Sequence, residues 1–486
     1  MRAMPAAARF ALLACMCGCA PVRELVRPEG GGGWGPAARR AAVQELAPQA
    51  GVVDPLAPTS APAPAVYDLR AALAQAALGN RALQAASARS DIARAQALEA
   101  RGRLLPSTTA EGRYTWYTDA RSTSVNLPPD IVLPGTPLPR VVISDTDAGT
   151  VNALLLLPLD ISGELRQMLA AAQAGYRGAE ARRWATALEQ DLAVTRAYFE
   201  RLAAERLRDV TEQTVALYRR QLRDAEDRFN AGRVTKNEVL EVQVAVRNAE
   251  QRKLREDVAV DRARWAFNEA IGVAVDAPTA VEDVHERPVL PPVDDTLRLA
   301  QQHNPVLTAL FERHRQLEAE RSALERSRFP RFNAGGAMDY SSSDLFTPNQ
   351  IGSGFVGFRW DLGTDTQREQ RLAAAAAALE ENRAQLEAEL RALEHALRAT
   401  QRAAEERLAA LETAQVAIGQ AEENLRIRQQ QFGVGRAQTR DVLEAQRLLA
   451  EQRAVLATAL YEAQTRRAEL QQLMGEPLNA LLAEGD

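Results

Sequence analysis

The sequence predicts a mixed α/β protein in which long coiled-coil helices far outweigh a few short strands. Three observations carry this expectation. Apolar residues recur every seven positions, the chain can be laid upon itself, and there are four short strand candidates near ten residues long, most of them alternating between apolar and polar side chains.

The heptads are clearest late in the chain. Leu390, Leu397, Ala404, Leu411, Ile418, Leu425 and Phe432 fall seven apart, with Leu379, Leu386 and Leu393 as a complementary seam. A helix with this pattern buries one stripe against another helix. Over 365–432 it would extend roughly 100 Å at 1.5 Å per residue. Segments 295–328 and 438–474 together nearly match that length, so stacked end to end they would pair with it. The first half repeats the plan with 68–101, 165–230 and 236–271.

The repeat is visible residue by residue. Asn80 and Pro106 correspond to Asn304 and Pro330, both at an offset of 224. Asp160 matches Asp361, and Phe229-Asn230-Ala231-Gly232-Arg233 matches Phe432-Gly433-Val434-Gly435-Arg436. Val239, Leu240 and Gln243 fall on Val442, Leu443 and Gln446, and Gly272 falls on Gly475. Two copies of about 205 residues follow, each reading helix, strand, strand, long helix, turn, helix.

The strand segments are amphipathic. Thr108, Ala110, Gly112, Tyr114 and Trp116 face one way, against Thr109, Glu111, Arg113 and Thr115. Phe332, Ala334, Gly336, Met338 and Tyr340 oppose Asn333 and Asp339; Val356, Phe358, Trp360 and Leu362 oppose Arg359 and Asp361. The second strand, around Val151 to Asp160, alternates less clearly. About ten residues suit a strand that crosses a bilayer, and equally a small soluble sheet capping the coil. Four strands cannot close a barrel, whereas three chains would supply twelve and turn the helices into a tube.

Composition narrows the classes. The chain has 486 residues and a net charge of −5, so no basic field points to nucleic acid. No apolar run reaches the roughly 18 residues of a transmembrane helix, which leaves a β-barrel open. Cys15, Cys17 and Cys19 are the only cysteines and follow Arg2, Arg9 and a short apolar stretch, as in a secretory signal. Gly18-Cys19 looks like a bacterial lipoprotein cleavage site, with Cys19 lipidated; Cys15 is the rival, and a plain cleaved signal is the remaining alternative. Residues 19–66 are rich in Pro, Gly and Ala and read as a tether or extended arm.

The lipoprotein-like start, the duplicated helix–hairpin–helix plan and two Phe-x-x-Gly turns together resemble the TolC-like family of bacterial outer membrane efflux proteins. The likeness covers about residues 67 to 475, including Phe432-x-x-Gly435, Asp441-Val442-Leu443, Gln446 and a closing Gly475. It implies a homotrimer: a twelve-stranded β-barrel in the outer membrane, four strands per chain, above a coiled-coil α-helical tunnel through the periplasm. It also implies an exit duct that meets a periplasmic adaptor and an inner-membrane transporter. The divisions expected are a signal at 1–18, the lipid-anchored arm at 19–66, a first repeat at 67–275 with its hairpin near 106–160, a linker at 276–294, a second repeat at 295–475 with its hairpin near 331–362, and a tail at 476–486.

In such a protein the turns at Gly232-Arg233 and Val434-Gly435-Arg436 would form the periplasmic tip that receives the adaptor. Glycine also suits a helix end for its own sake. Glu238 and Glu241, with their repeat partners Asp441 and Glu444, are spaced i, i+3 on one helix face. Three chains would gather twelve carboxylates into an acidic gate favouring cations, and some would take up protons or divalent ions. Helix capping is the competing reading, since Thr235-x-x-Glu238 is a capping box and Asp441 suits a first turn. Phe432 lacks the hydroxyl that a family tyrosine can use to tie the tip, so Arg233 or Arg436 are expected to substitute. The histidines are scattered, and neither a nucleophile motif nor a zinc motif occurs, so no catalytic site or cofactor is expected. The alternative function is a lipid-anchored periplasmic scaffold or adaptor without a pore.

Overall fold

A computed structural model describes residues 66–124, 140–144, 146–284, 286–343, 348–363 and 365–478. The expected signal, Cys15, Cys19, nearly all of the arm and the tail from 479 lie outside these described residues. Among the described residues the chain divides into two compact units, one within Leu98–Leu169 and Ser322–Leu372 and one of residues 66–97, Ala170–Arg321 and residues 373–478.

The first unit holds the strands: β1 (Ser107–Trp116), β2 (Arg121–Ser124), β3 (Arg140–Ser144), β4 (Asp147–Leu159), β5 (Arg331–Ser341) and β6 (Gln350–Arg359). Four form one antiparallel sheet in the order β1-β4-β5-β6, so the two repeats pair through β4 and β5. The register settles the faces, because residues paired across strands share a side. Ala110, Ala153, Met338 and Gly352 form one row; Leu157, Ala334 and Val356 form another. The alternating apolar sets of β1, β5 and β6 therefore lie on one side, together with Val151, Ala153, Leu155 and Leu157 of β4, which also carries Leu154 and Leu156 on the other. Glu111, Asn152 and Asp339 mark the other, where the Asn152 amide donates to the Asp339 carboxylate. The structure departs from expectation twice here. The strands β2 and β3 make a separate two-stranded sheet, and β4 starts at Asp147 because β1 pairs with it along its full length.

The corner from β4 into the next helix, α3 (Glu164–Asn230), explains the matched Asp160. Its carboxylate accepts from the backbone N–H of Leu165 at 3.1 Å and of Arg166 at 3.0 Å, capping donors that a helix start leaves free. Beside it Glu164 is only 3% exposed, and Arg331 at the start of β5 grips it with two bonds of 2.7 and 2.9 Å. A buried carboxylate is tolerated here because the guanidinium fork satisfies both oxygens.

The second unit is helical. Its elements are α1 (Leu69–Gly79), α2 (Arg81–Gly102), α3, α4 (Lys236–Ile271), α5 (Val293–His303), α6 (Pro305–Arg326), α7 (Asp365–Gly433) and α8 (Thr439–Met474), of which α2, α3, α6 and α7 also run into the first unit. The expected single helices over 68–101 and 295–328 are each two, broken at Asn80 and Asn304. Each asparagine side chain caps the helix that follows: Asn80 accepts from Ala82 and Leu83, Asn304 from Val306 and Leu307, at 2.8 to 3.2 Å. Their amides reach sideways, to Gln190 at 2.7 Å and to the Leu473 carbonyl at 2.9 Å. A side chain that offers the backbone its own bonds interrupts a helix in this way.

The heptad stripe of α7 is the buried one. Leu397, Ala404, Leu411, Leu425 and Phe432 are buried, and Leu390 and Ile418 pack at the margins. Each repeat has one apolar cluster near its turn: Val215, Tyr218 and Ala225 against Val239, Val242 and Val246 in the first, Ala421, Leu425 and Phe432 against Val442, Ala445 and Leu449 in the second. The linker between repeats is strapped down. Tyr67 pairs with it through the Ala280 carbonyl and the Glu282 N–H, while Tyr198 and Tyr461 hold the Glu282 carbonyl and Asp283 carboxylate.

Candidate functional site

Both long helices end in the same way. Gly232 and Gly435 have φ of 68° and 74°, a left-handed conformation that costs a residue with a Cβ about 1–2 kcal/mol. Gly232 N–H bonds to the Phe229 carbonyl and Arg233 N–H to that of Arg228, both at 2.8 Å. Gly435 and Arg436 repeat this on Phe432 and Gln431 at 3.2 and 2.8 Å. Each pair closes a Schellman motif, satisfying carbonyls that a helix end would leave open. Gly232, Arg233, Val434, Gly435 and Arg436 are all exposed, Val434 to 71%.

Among the described residues two contacts join the turns, and neither uses Arg233 or Arg436. The Arg228 guanidinium lies 4.1 Å from the Phe432 ring centroid and donates to the Phe432 carbonyl at 3.3 Å. Cation and ring attract through the ring's quadrupole, so Phe432 is held to the first repeat's long helix without a hydroxyl. The Thr439 hydroxyl, buried at the start of α8, donates to Glu238 at 2.9 Å. Sequence reasoning missed both because neither residue is repeated: Gln431 stands where the first repeat has Arg228, and Lys236 where the second has Thr439.

The four acids have individual environments. Glu238 accepts from the Thr235 backbone N–H at 3.2 Å and Asp441 from that of Gln438 at 3.0 Å, so both close capping boxes. Glu241 accepts from the Asn237 amide at 3.1 Å. Glu444 takes a two-pronged bond from Arg447 at 2.7 and 3.1 Å, which holds its carboxyl below the usual range. A carboxylate stabilised in its charged form is a poor proton acceptor near neutrality. Within one chain, then, each acid already has a local partner. Among the described residues no group of three or more His, Cys, Asp or Glu could hold a metal ion, and no helix is long and apolar enough to cross a membrane.

The model of the outer membrane efflux protein family matches residues 72–273 and 296–476, one match for each repeat. The chain belongs to that family. An outer membrane efflux protein accounts for the duplication, the long helices and the small amphipathic sheet together. Solved structures share its fold. The outer membrane protein VceC of Vibrio cholerae is 20% identical, with a TM-score of 0.70 over 84% of this chain and 96% of VceC. CusC is 16% identical, with 0.71 over 84% and 92%. The outer membrane channel CmeC of Campylobacter jejuni is 14% identical, with 0.70 over 86% and 88%. No curated protein sequence matches this outer membrane efflux protein.

Proposed function

We propose that the chain is the exit duct of a tripartite efflux or type I secretion system. As a homotrimer it passively conducts substrates from an inner-membrane transporter, through a periplasmic adaptor, across the outer membrane. The observation that carries this reading is the open sheet: among the described residues β1 and β6 each have a neighbour on one side only, and one face is predominantly apolar. Unpaired strand edges invite pairing with another chain, and three copies joined β1 to β6 make a closed ring of twelve. A scaffold or adaptor without a pore has no use for such a sheet. The two turns, with Gly232, Arg233, Val434, Gly435 and Arg436 exposed, are the adaptor-docking tips in this reading. Glu238, Glu241, Asp441 and Glu444 form the periplasmic gate, and lipid on Cys19 anchors the arm of residues 19–66 to the membrane.

Single-channel recording of the purified protein in a planar bilayer tests the duct. Discrete cation-selective steps are expected, and inserted protein that gives no steps points to the anchored scaffold instead. Calcium block separates the gate from helix capping. It should disappear in the Asp441→Ala, Glu444→Ala double variant, whereas block that survives returns both acids to capping and ion pairing. Mass spectrometry of the mature N-terminus should find a lipidated Cys19; an unmodified residue there refutes the anchor.

A further inference from the structure

A groove of about 460 Å³ lies between α3, α4 and α8. Its apolar wall comes from Leu207, Val210 and Tyr218 of α3 and Leu443 of α8. Burial raises the Tyr218 phenol pKa, and the charges of Arg252 and Arg447 act against that rise. Five charged side chains also line the groove, and they are not evenly matched. Arg447 is committed to Glu444 at 2.7 Å and to Glu451 at 3.2 Å, both on its own helix. Arg252 and Arg440 have no ion-pair or hydrogen-bond partner among the described residues. Three arginines against two glutamates leave the lining with one net positive charge.

We propose that this groove binds an amphipathic organic anion, a carboxylate or sulfonate with a compact apolar body. Arg252 and Arg440 take the head group, and the body lies along Leu207, Val210 and Leu443. Guanidinium is weakly hydrated and matches the planar or forked oxygens of such a head, so it gives up little water on pairing. The apolar wall then adds burial in proportion to area, and the volume falls within the range of small-molecule sites. Arg252 belongs to the first repeat and Arg440 to the second, so an occupant bridges the two. The binding does not depend on the channel reading; it is a property of the folded helices.

Fluorescence titration of the full-length protein in nanodiscs of uncharged lipid tests this, with 1-anilinonaphthalene-8-sulfonate as the probe and empty nanodiscs subtracted. N-phenyl-1-naphthylamine, which keeps the apolar body and lacks the sulfonate, is the neutral control. The sulfonate should saturate at one site per chain, weaken with added salt and bind about tenfold less tightly to Arg252→Gln, Arg440→Gln. The neutral probe should be indifferent to that change. Ala450→Trp, which fills the groove and leaves both arginines, should abolish saturable binding; circular dichroism checks that each variant is folded. Undiminished sulfonate binding in either folded variant overturns the proposal, as does equal loss of the neutral probe in the glutamine variant.

Discussion

Asp191 illustrates how a single residue can work against the fold that contains it. It lies on α3, where burial raises its carboxyl pKa from 3.8 to about 6. A folded-state pKa raised in this way means that the folded chain holds the proton more tightly than the unfolded one. Stability therefore falls as pH rises from about 4 to about 6, and the deficit persists above that. Asp191→Asn should be more stable than the parent at pH 7, by up to about 2 kcal/mol after allowance for partial exposure, and equal to it near pH 3.5. Thermal unfolding at the two pH values checks both halves; equal melting at pH 7 would show the carboxylate to be solvated. No pattern in the sequence marks this residue, since its burial depends on which side of α3 its neighbours cover. Gly232 and Gly435 were legible for the opposite reason: a helix end specifies its glycine locally.

At the scale of elements, α4 and α8 are copies whose buried stripes differ in width. On the tip half of α4 the inward positions are Val239, Val242, Val246 and Ala249, and Gln243 is exposed. On α8 the stripe is wider, and Gln446, the counterpart of Gln243, is 2% exposed. Neither its amide nitrogen nor its oxygen has a partner among the described residues. A buried amide left unpaired costs about 1–3 kcal/mol, so Gln446→Leu should raise the unfolding temperature while Gln243→Leu changes little. An unchanged or lower melting point for Gln446→Leu would mean that the amide is satisfied. Helix existence and heptad phase were readable because periodicity repeats the same signal many times. The breaks at Asn80 and Asn304 were not, because each rests on one side chain competing with the backbone, even though the pair stood out as repeat partners.

For the whole molecule, the sheet is where sequence and assembly meet. Alternation was visible within three of the strands, but only the pairing register brings their apolar sets onto one side. Val356, 77% exposed on that side, tests the consequence. Val356→Arg should impair insertion into lipid vesicles, at a cost of about 2–4 kcal/mol near the bilayer centre, and Ser353→Arg on the other side should not. Equal tolerance of both arginines would argue for a soluble sheet. The tip contacts were hidden for a related reason: Arg228 with Phe432 and Thr439 with Glu238 join residues some two hundred positions apart, with no periodicity to announce them.

The strapped linker has one more consequence. Continuous backbone there is not what keeps the halves together, because β4 pairs with β5 along ten residues and Tyr67, Tyr198 and Tyr461 hold the segment on both flanks. A protease site cut in at Val289, which is exposed, should yield two fragments that still migrate as one particle. The duplicated chain would then behave as two polypeptides that retain each other without a covalent bond.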